Sequence, residues 1–241
     1  MTRTRISFVV ATYNGASHVE QQLASILTAL GQADEIVVSD DGSADDTVAR
    51  VCAIGDPRIR VLAGGERLGY QANFARAIFA ASGDYVFFSD QDDVCLSARV
   101  PLSLAALTTA PCVCGDAVVV DKSLSVLHAS YFAQRRAKFG PGWLIARPAV
   151  IGATMACRRD FLLAHLPFPC GVPHDMWLAV QAALHGQLAV IREPLILYRR
   201  HGAALSATGS ASTRPIVARV RERVLLMQAL ARTGRRIELR E

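Results

Sequence analysis

The run Phe87-Phe88-Ser89-Asp90-Gln91-Asp92-Asp93 holds the residues best suited to chemistry in this 241-residue chain. An Asp-x-Asp pair sets two hard oxygen ligands where they share one divalent cation, and such a cation can hold a diphosphate. Tyr85-Val86-Phe87-Phe88 reads as a buried strand, so the carboxylates begin where that strand ends. Taken alone, the pair is equally an acidic loop, and its context has to decide. Two more polar groups follow apolar runs in the same manner: Thr12-Tyr13-Asn14, and Asp40-Asp41-Gly42-Ser43. An Asp at such a place accepts hydrogen bonds from a base N–H or a ribose hydroxyl, while Gly42 permits a tight turn. A capped turn into the following helix is the structural alternative.

The elements that must position these residues are legible from periodicity. Ile6 to Ala11 reads as a buried strand, Ser17 to Leu30 as a helix with Ser17 as N-cap, and Glu35 to Ser39 as a second strand. A helix around Asp45 to Cys52, a strand at Arg60 to Leu62, a helix around Gln71 to Ala81 and the Tyr85 to Phe88 strand follow. This alternation predicts an α/β fold whose mainly parallel sheet is flanked by helices and binds ligands at the carboxyl ends of its strands. Residues 1–110 form the Rossmann-like, nucleotide-binding half. Residues 111–208 form an acceptor-facing half, with strand-like Val118 to Val120, a segment broken by Gly140, Pro141 and Gly142, then Ala149 to Cys157. A helix from about Asp175 to His185 and a strand from Leu188 to Tyr198 complete it.

Composition narrows the function classes. The 51% hydrophobic content supplies a substantial core. No apolar run approaches the roughly 18 residues of a membrane span, and no signal-peptide core follows Met1, so the expectation is a cytoplasmic protein. Six cysteines without CxxC spacing or clustered His partners argue for reduced, mostly buried thiols rather than zinc or a disulfide framework. Residues 209–241 carry 8 Arg against 3 Glu, whereas 1–208 balance 18 basic against 18 acidic residues, so the net charge of +5 belongs to the tail. A neutral body argues against a nucleic-acid groove. Gly64-Gly65-Glu66-Arg67-Leu68-Gly69 is not GxGxxG and no GxxxxGK[ST] occurs, which disfavours dehydrogenases and P-loop NTPases.

Five segments in register carry a resemblance. Val9-Val10-Ala11-Thr12-Tyr13-Asn14-Gly15, Val38-Ser39-Asp40-Asp41-Gly42-Ser43, Gly69-Tyr70-Gln71-Ala72-Asn73-Phe74, Ser89-Asp90-Gln91-Asp92-Asp93 and the later His174-Asp175-Met176-Trp177 resemble family 2 glycosyltransferases of the GT-A fold. Together with Glu193 to Gly202, the last segment resembles the bacterial rhamnosyltransferase-like branch. The resemblance implies inverting transfer from a dTDP- or UDP-sugar, with dTDP-rhamnose favoured, to a glycan or lipid-linked saccharide. It implies Mg²⁺ or Mn²⁺ held by Asp92 and Asp90, with the late His201 reaching back to the metal or diphosphate and Arg199 or Arg200 assisting. Asp175 matches the catalytic base position, where a helix N-cap is the structural reading. Thr12, Tyr13, Asn14, Asp40, Asp41, Arg67, Asn73, Asp90 and Gln91 match or border the nucleotide-sugar site, and Trp143, His174 and Trp177 are candidates for the acceptor.

Asp93 is read as a cap for the following helix. Cys95 stands where such relatives often carry Trp, and Met176 replaces an aromatic, so the acceptor pocket is expected to be less aromatic. A sugar-1-phosphate nucleotidyltransferase would need a Gly-rich activating loop after its first strand, and a non-catalytic nucleotide- or glycan-binding module would not need Asp90, Asp92 and Asp175 together. In the tail, Val217, Val220, Val224, Met227 and Ala231 fall at helical spacing among arginines. That pattern suits peripheral contact with an anionic membrane, packing on the body, or a homo-oligomer.

Overall fold

The computed structural model describes residues 5–200 and 216–238. Strands β1 (Ile6–Thr12), β2 (Glu35–Asp40), β3 (Ile59–Leu62) and β4 (Tyr85–Asp90) run parallel in the spatial order β3-β2-β1-β4. Their near-continuous Ile, Val and Phe content fits strands covered on both faces. Crossover helices α1 (Val19–Leu27), α2 (Thr47–Ala53) and α3 (Tyr70–Ala80) connect them. On α1 the buried Val19, Gln22, Leu23 and Ile26 fall at the three- and four-residue spacing of one helix face. Ser17 is not its N-cap. A backbone turn starts the helix instead, with the N–H groups of His18 and Val19 both donating to Gly15 O.

The second half begins with β5 (Val94–Cys95), α4 (Arg99–Leu107), β6 (Cys112–Val120), β7 (Val126–His128), α5 (Tyr131–Arg135) and α6 (Pro141–Ala146). It continues with a 3-10 turn at Gly152–Thr154, β8 (Ala156–Arg158), α7 (Arg159–Ala164), α8 (His174–Leu184) and β9 (Leu188–Arg199). The sheet is continuous: β8 pairs antiparallel with both β4 and β6, β6 runs parallel to β9, and β5 closes the edge antiparallel to β9. It is therefore parallel in the first half and mixed in the second. Helix α4 contains Pro101. That proline sits in the first turn, where its missing N–H forfeits no intrahelical bond.

Eight of the eleven residues of α8 are buried, which makes it a central helix. The last helix, α9 (Ile216–Glu238), packs against the body: Leu226 is fully buried, and Leu225, Ala229 and Leu230 rest on the core. Burying one such leucine contributes about 1.5–3 kcal/mol. The helix is thus part of the fold through one face, while Val217, Val220, Val224 and Met227 are exposed on the other. Cys95, Cys112, Cys114 and Cys157 are buried, free thiols, whereas Cys52 and Cys170 are exposed.

Candidate active site

The loops after β1, β2 and β4 meet, as the alternation of elements predicts, and hydrogen bonds stitch them together. Thr12 Oγ1 donates to Asp40 Oδ2 at 2.9 Å, and Asp40 also accepts from Gly42 N, from Ser43 N at 2.8 Å and from Ser43 Oγ at 2.6 Å. Gly42 supplies the turn with φ of 81°. Gln91 reaches from β4 to β1, accepting from Tyr13 N at 2.8 Å and donating to Tyr13 O at 3.1 Å. Asn14 accepts from Ala44 N, and the side chains of Thr47 and Asp45 accept from Gly15 N and Ala16 N.

Asn73, buried on α3, bridges two strands. Its amide accepts from Ser39 Oγ at 2.6 Å and donates to Ser39 O at 2.7 Å and Thr12 O at 3.4 Å. Asp41 holds the next loop by accepting from Leu68 N at 2.6 Å and Gly69 N at 3.0 Å. Arg67, in that loop, lays its guanidinium 3.9 Å from the centre of the Tyr13 ring, and its Nε lies 3.9 Å from Asp41 Oδ2. Asp40 and Asn73 thus spend their hydrogen-bonding capacity on the scaffold, whereas the Tyr13–Arg67 stack borders the open side.

A different electrostatic situation prevails at the end of β4. Burial pushes the Asp90 carboxyl up to about 7, and the charges of Asp92 and Asp175 push the same way. Asp93 is raised well above the usual carboxylate range too, by burial and then by Asp92 and Asp90. Asp175, on α8, therefore lies within electrostatic reach of the β4 carboxylates although 85 residues separate it from Asp90. Its neighbour is Gly152, where a Cβ would stand 2.9 Å from His174 Nε2 and 3.5 Å from the Asp175 Cβ, so the absent side chain makes room for both. Asp175 is not the N-cap of α8, a place taken by Pro173. It stands in the first turn, and its Oδ1 accepts from Met176 N at 2.8 Å.

Asp93 caps no helix. Its Oδ1 accepts from Arg199 N at 2.9 Å, because β5 intervenes before α4 begins and pairs with β9. Arg199 does not reach toward a ligand either. Its buried guanidinium donates to Asp92 O at 2.7 Å, to Lys122 O and to Gln21 Oε1 at 2.6 Å, which fixes the acidic loop from behind. His201 lies outside the described residues.

Trp177 is 4% exposed and donates its indole N–H to His165 O at 3.1 Å, which makes it a core residue rather than a sugar platform. His174 is also buried, nested against Phe74, Phe88, Phe168 and Tyr70, and burial lowers its pKa. Trp143, by contrast, is 46% exposed, with Lys138 Nζ 4.2 Å from its ring centre.

Two residues escaped the sequence reading. Arg99 is wholly buried in α4, donates to Phe88 O, and is the positive charge that opposes the rise of Asp90 and Asp93. Tyr131 is wholly buried, and its hydroxyl has no partner among the described residues. Burial pushes its pKa up to about 12, with Arg135 and Arg200 opposing and Asp175 adding to the rise. Only the apolar spacing around them could have marked either as interior.

The sequence from residue 7 to 164 matches the model of glycosyl transferase family 2. The chain belongs to that family. It is 41% identical over 88 residues to the succinoglycan biosynthesis protein ExoO of Rhizobium meliloti, an alignment covering 36% of this chain and 25% of that protein. It is 28% identical over 215 residues to the dTDP-rhamnosyl transferase RfbG of Shigella flexneri, covering 80% of this chain and 71% of the relative. The chain thus spans a quarter of ExoO and most of RfbG.

Among solved structures, glucosyl-3-phosphoglycerate synthase from Mycobacterium tuberculosis, in complex with Mn²⁺, UDP and glucosyl-3-phosphoglycerate, superposes with a TM-score of 0.64 at 23% identity. That match covers 91% of this chain and 80% of the other. The fold is GT-A.

Proposed function

We propose that this glycosyltransferase is inverting and metal-dependent. In this reading it transfers a sugar from a dTDP- or UDP-sugar, dTDP-rhamnose first among them, to a hydroxyl of a glycan or lipid-linked saccharide in bacterial surface polysaccharide synthesis. It draws on the cytoplasmic pool of nucleotide sugars. One observation carries the reading: Asp90 and Asp92 at a strand end and Asp175 from a distant helix share one electrostatic site.

Carboxylate oxygens suit Mg²⁺ or Mn²⁺, and a group of like charges whose protonation is forced upward gains most from a cation. Among the described residues no three His, Cys, Asp or Glu side chains form a ready-made metal cluster, so a diphosphate and water would complete the shell of an ion on Asp90 and Asp92. Such an ion would neutralise the departing diphosphate. The M. tuberculosis synthase, bound to Mn²⁺ and UDP, supports this assignment by its likeness.

The chain's own residues supply the rest. Asp40, Asn73 and Gln91 hold the loops, Tyr13 and Arg67 flank the nucleoside together with Asn14 and Asp41, and Thr12 ties β1 to β2. The Asp175 carboxylate takes the proton of the acceptor hydroxyl as that oxygen attacks the anomeric carbon from the face opposite the nucleotide. Of Trp143, His174 and Trp177, Trp143 is the one that is exposed and offers an acceptor sugar a surface. The buried His174 shapes the wall beside Asp175.

Screening purified protein against nucleotide sugars with Mn²⁺ and Mg²⁺ tests the reading. It predicts metal-dependent donor hydrolysis and product of inverted anomeric configuration. Absence of binding and of turnover with every donor would overturn it.

A further inference from the structure

The exposed face of α9 is built for a surface that the chain itself does not provide. Val217, Val220, Val224 and Met227 recur every three or four residues and are between 50% and 78% exposed, so they form one apolar stripe about three turns long. The opposite side of the same helix carries Leu225, Leu226, Ala229 and Leu230, which pack on the body. A helix anchored by one apolar face while presenting a second is not explained by folding alone. Exposed Arg221 and Arg232 border the stripe on one edge, half-buried Arg223 borders the other, and exposed Arg219 stands near its N-terminal end. Over Ile216–Glu238 the sequence holds six Arg against two Glu.

Charge selects the occupant. Residues 1–208 balance their acidic and basic residues, so a second copy offers this basic border no complementary field. Apposing two such helices would set arginine against arginine. An anionic lipid surface supplies both what the stripe lacks and what the arginines require: an apolar layer beneath a plane of negative headgroups. The geometry points to α9 as a docking element that lies in the headgroup plane of an anionic membrane through Val217, Val220, Val224 and Met227.

The inner face of α9 connects that plane to the site. Arg223 Nη1 lies 3.3 Å from Met176 Sδ, and the Leu225 side chain lies 2.8 Å from where a Cβ on Gly171 would stand. Met176 directly follows Asp175. Docking would hold the start of α8 roughly one helix diameter, about 10 Å, from the lipid surface. Resting on the sugar-transfer reading, this makes a lipid-linked saccharide the acceptor that reaches Asp175 without leaving the bilayer. The docking itself does not depend on that reading.

Co-sedimentation of the full chain with phosphatidylcholine vesicles, with and without phosphatidylglycerol and in the absence of any nucleotide, tests the docking. The wild type should sediment with anionic vesicles alone and be released at high salt as screening shortens the reach of the arginines. Val220→Asp combined with Val224→Asp should weaken binding at least about tenfold while thermal unfolding stays unchanged, because both side chains already face solvent. Arg219→Gln, Arg221→Gln and Arg232→Gln together should do the same with no apolar residue altered. Failure of the folded wild type to bind anionic vesicles, or wild-type binding by both variants, overturns the docking. So does a dimer that ignores vesicles and dissociates in the Val220/Val224 variant, since the stripe would then belong to a second copy. A protein that docks yet transfers no sugar would refute only the proposed reaction.

Discussion

Two neighbouring regions of this molecule handle polar groups in opposite ways. In the loops after β1 and β2, Asp40, Asn73 and Gln91 meet matched donors and acceptors, and three loops become one rigid floor. At and just beyond the end of β4, Asp90, Asp92 and Asp93 crowd together within electrostatic reach of Asp175 on α8, and the buried Arg99 opposes the rise of Asp90 and Asp93. Matched networks hold shape; crowded like charges favour a cation. The contrast teaches where to look for chemistry: not at the most hydrogen-bonded polar residues, but beside them.

The largest expected effect breaks the charged region alone. Asp175→Asn should lower kcat by about 10²–10⁴-fold, the range for a lost general base, while leaving nucleotide affinity nearly intact. Steady-state kinetics set against the affinity for the nucleoside diphosphate would separate the two.

Acidity gives the next test. The Asp90 carboxyl rises from 3.8 to about 7 in the fold, so its contribution to stability is full below pH about 4 and is lost as pH climbs through about 7. Ionising it there costs on the order of 4 kcal/mol before solvent relaxation. Without metal, Asp90→Asn should therefore raise Tm at pH 8 by several degrees and much less at pH 4. Because a cation must displace that proton, Mn²⁺ affinity of the wild type should climb between pH 5.5 and 7.5. Differential scanning calorimetry and metal titration across that interval would show both trends or neither.

Breaking the stitched region should look unlike either. Asn73→Ala removes the acceptor of the buried Ser39 O–H and a donor to the Ser39 carbonyl and should cost about 1–3 kcal/mol of stability, with donor affinity falling and the pH profile unmoved. Chemical denaturation would register the loss. The smallest effect belongs to Arg67→Ala. An exposed stack of this kind contributes about 0.5–1 kcal/mol, which predicts a few-fold loss in nucleotide affinity and no change in Tm.

The sequence shows the first of these regions better than the second. Apolar runs ending in Thr12-Tyr13-Asn14, Asp40-Asp41 and Asp90-Gln91-Asp92 announce strands and the loops they feed, because period and punctuation are local properties. Which polar side chains spend themselves on the scaffold is not local. Asp40 and Asp41 are adjacent and chemically identical, yet one turns inward to Ser43 and the other holds Leu68 and Gly69. Arg99 and Arg199 look like surface arginines in a string of letters, and only the packing of α4 and β9 buries them. Trp177 goes to the core for a related reason: an aromatic beside a candidate catalytic position and an aromatic in a core have the same spacing. On α9 the helical repeat is plain, but the existence of two apolar faces emerges only when one of them meets the body.

Calorimetric titration of UDP and dTDP into the wild type, Asp92→Asn and Asp175→Asn, each with and without Mn²⁺, tests the central claim most directly. The account predicts that Mn²⁺ strengthens binding to the wild type and to Asp175→Asn by at least about tenfold and leaves Asp92→Asn unaffected. Equal loss of the Mn²⁺ effect in both variants, or no Mn²⁺ effect in the wild type, would contradict the division of that acidic site into a cation holder and a base.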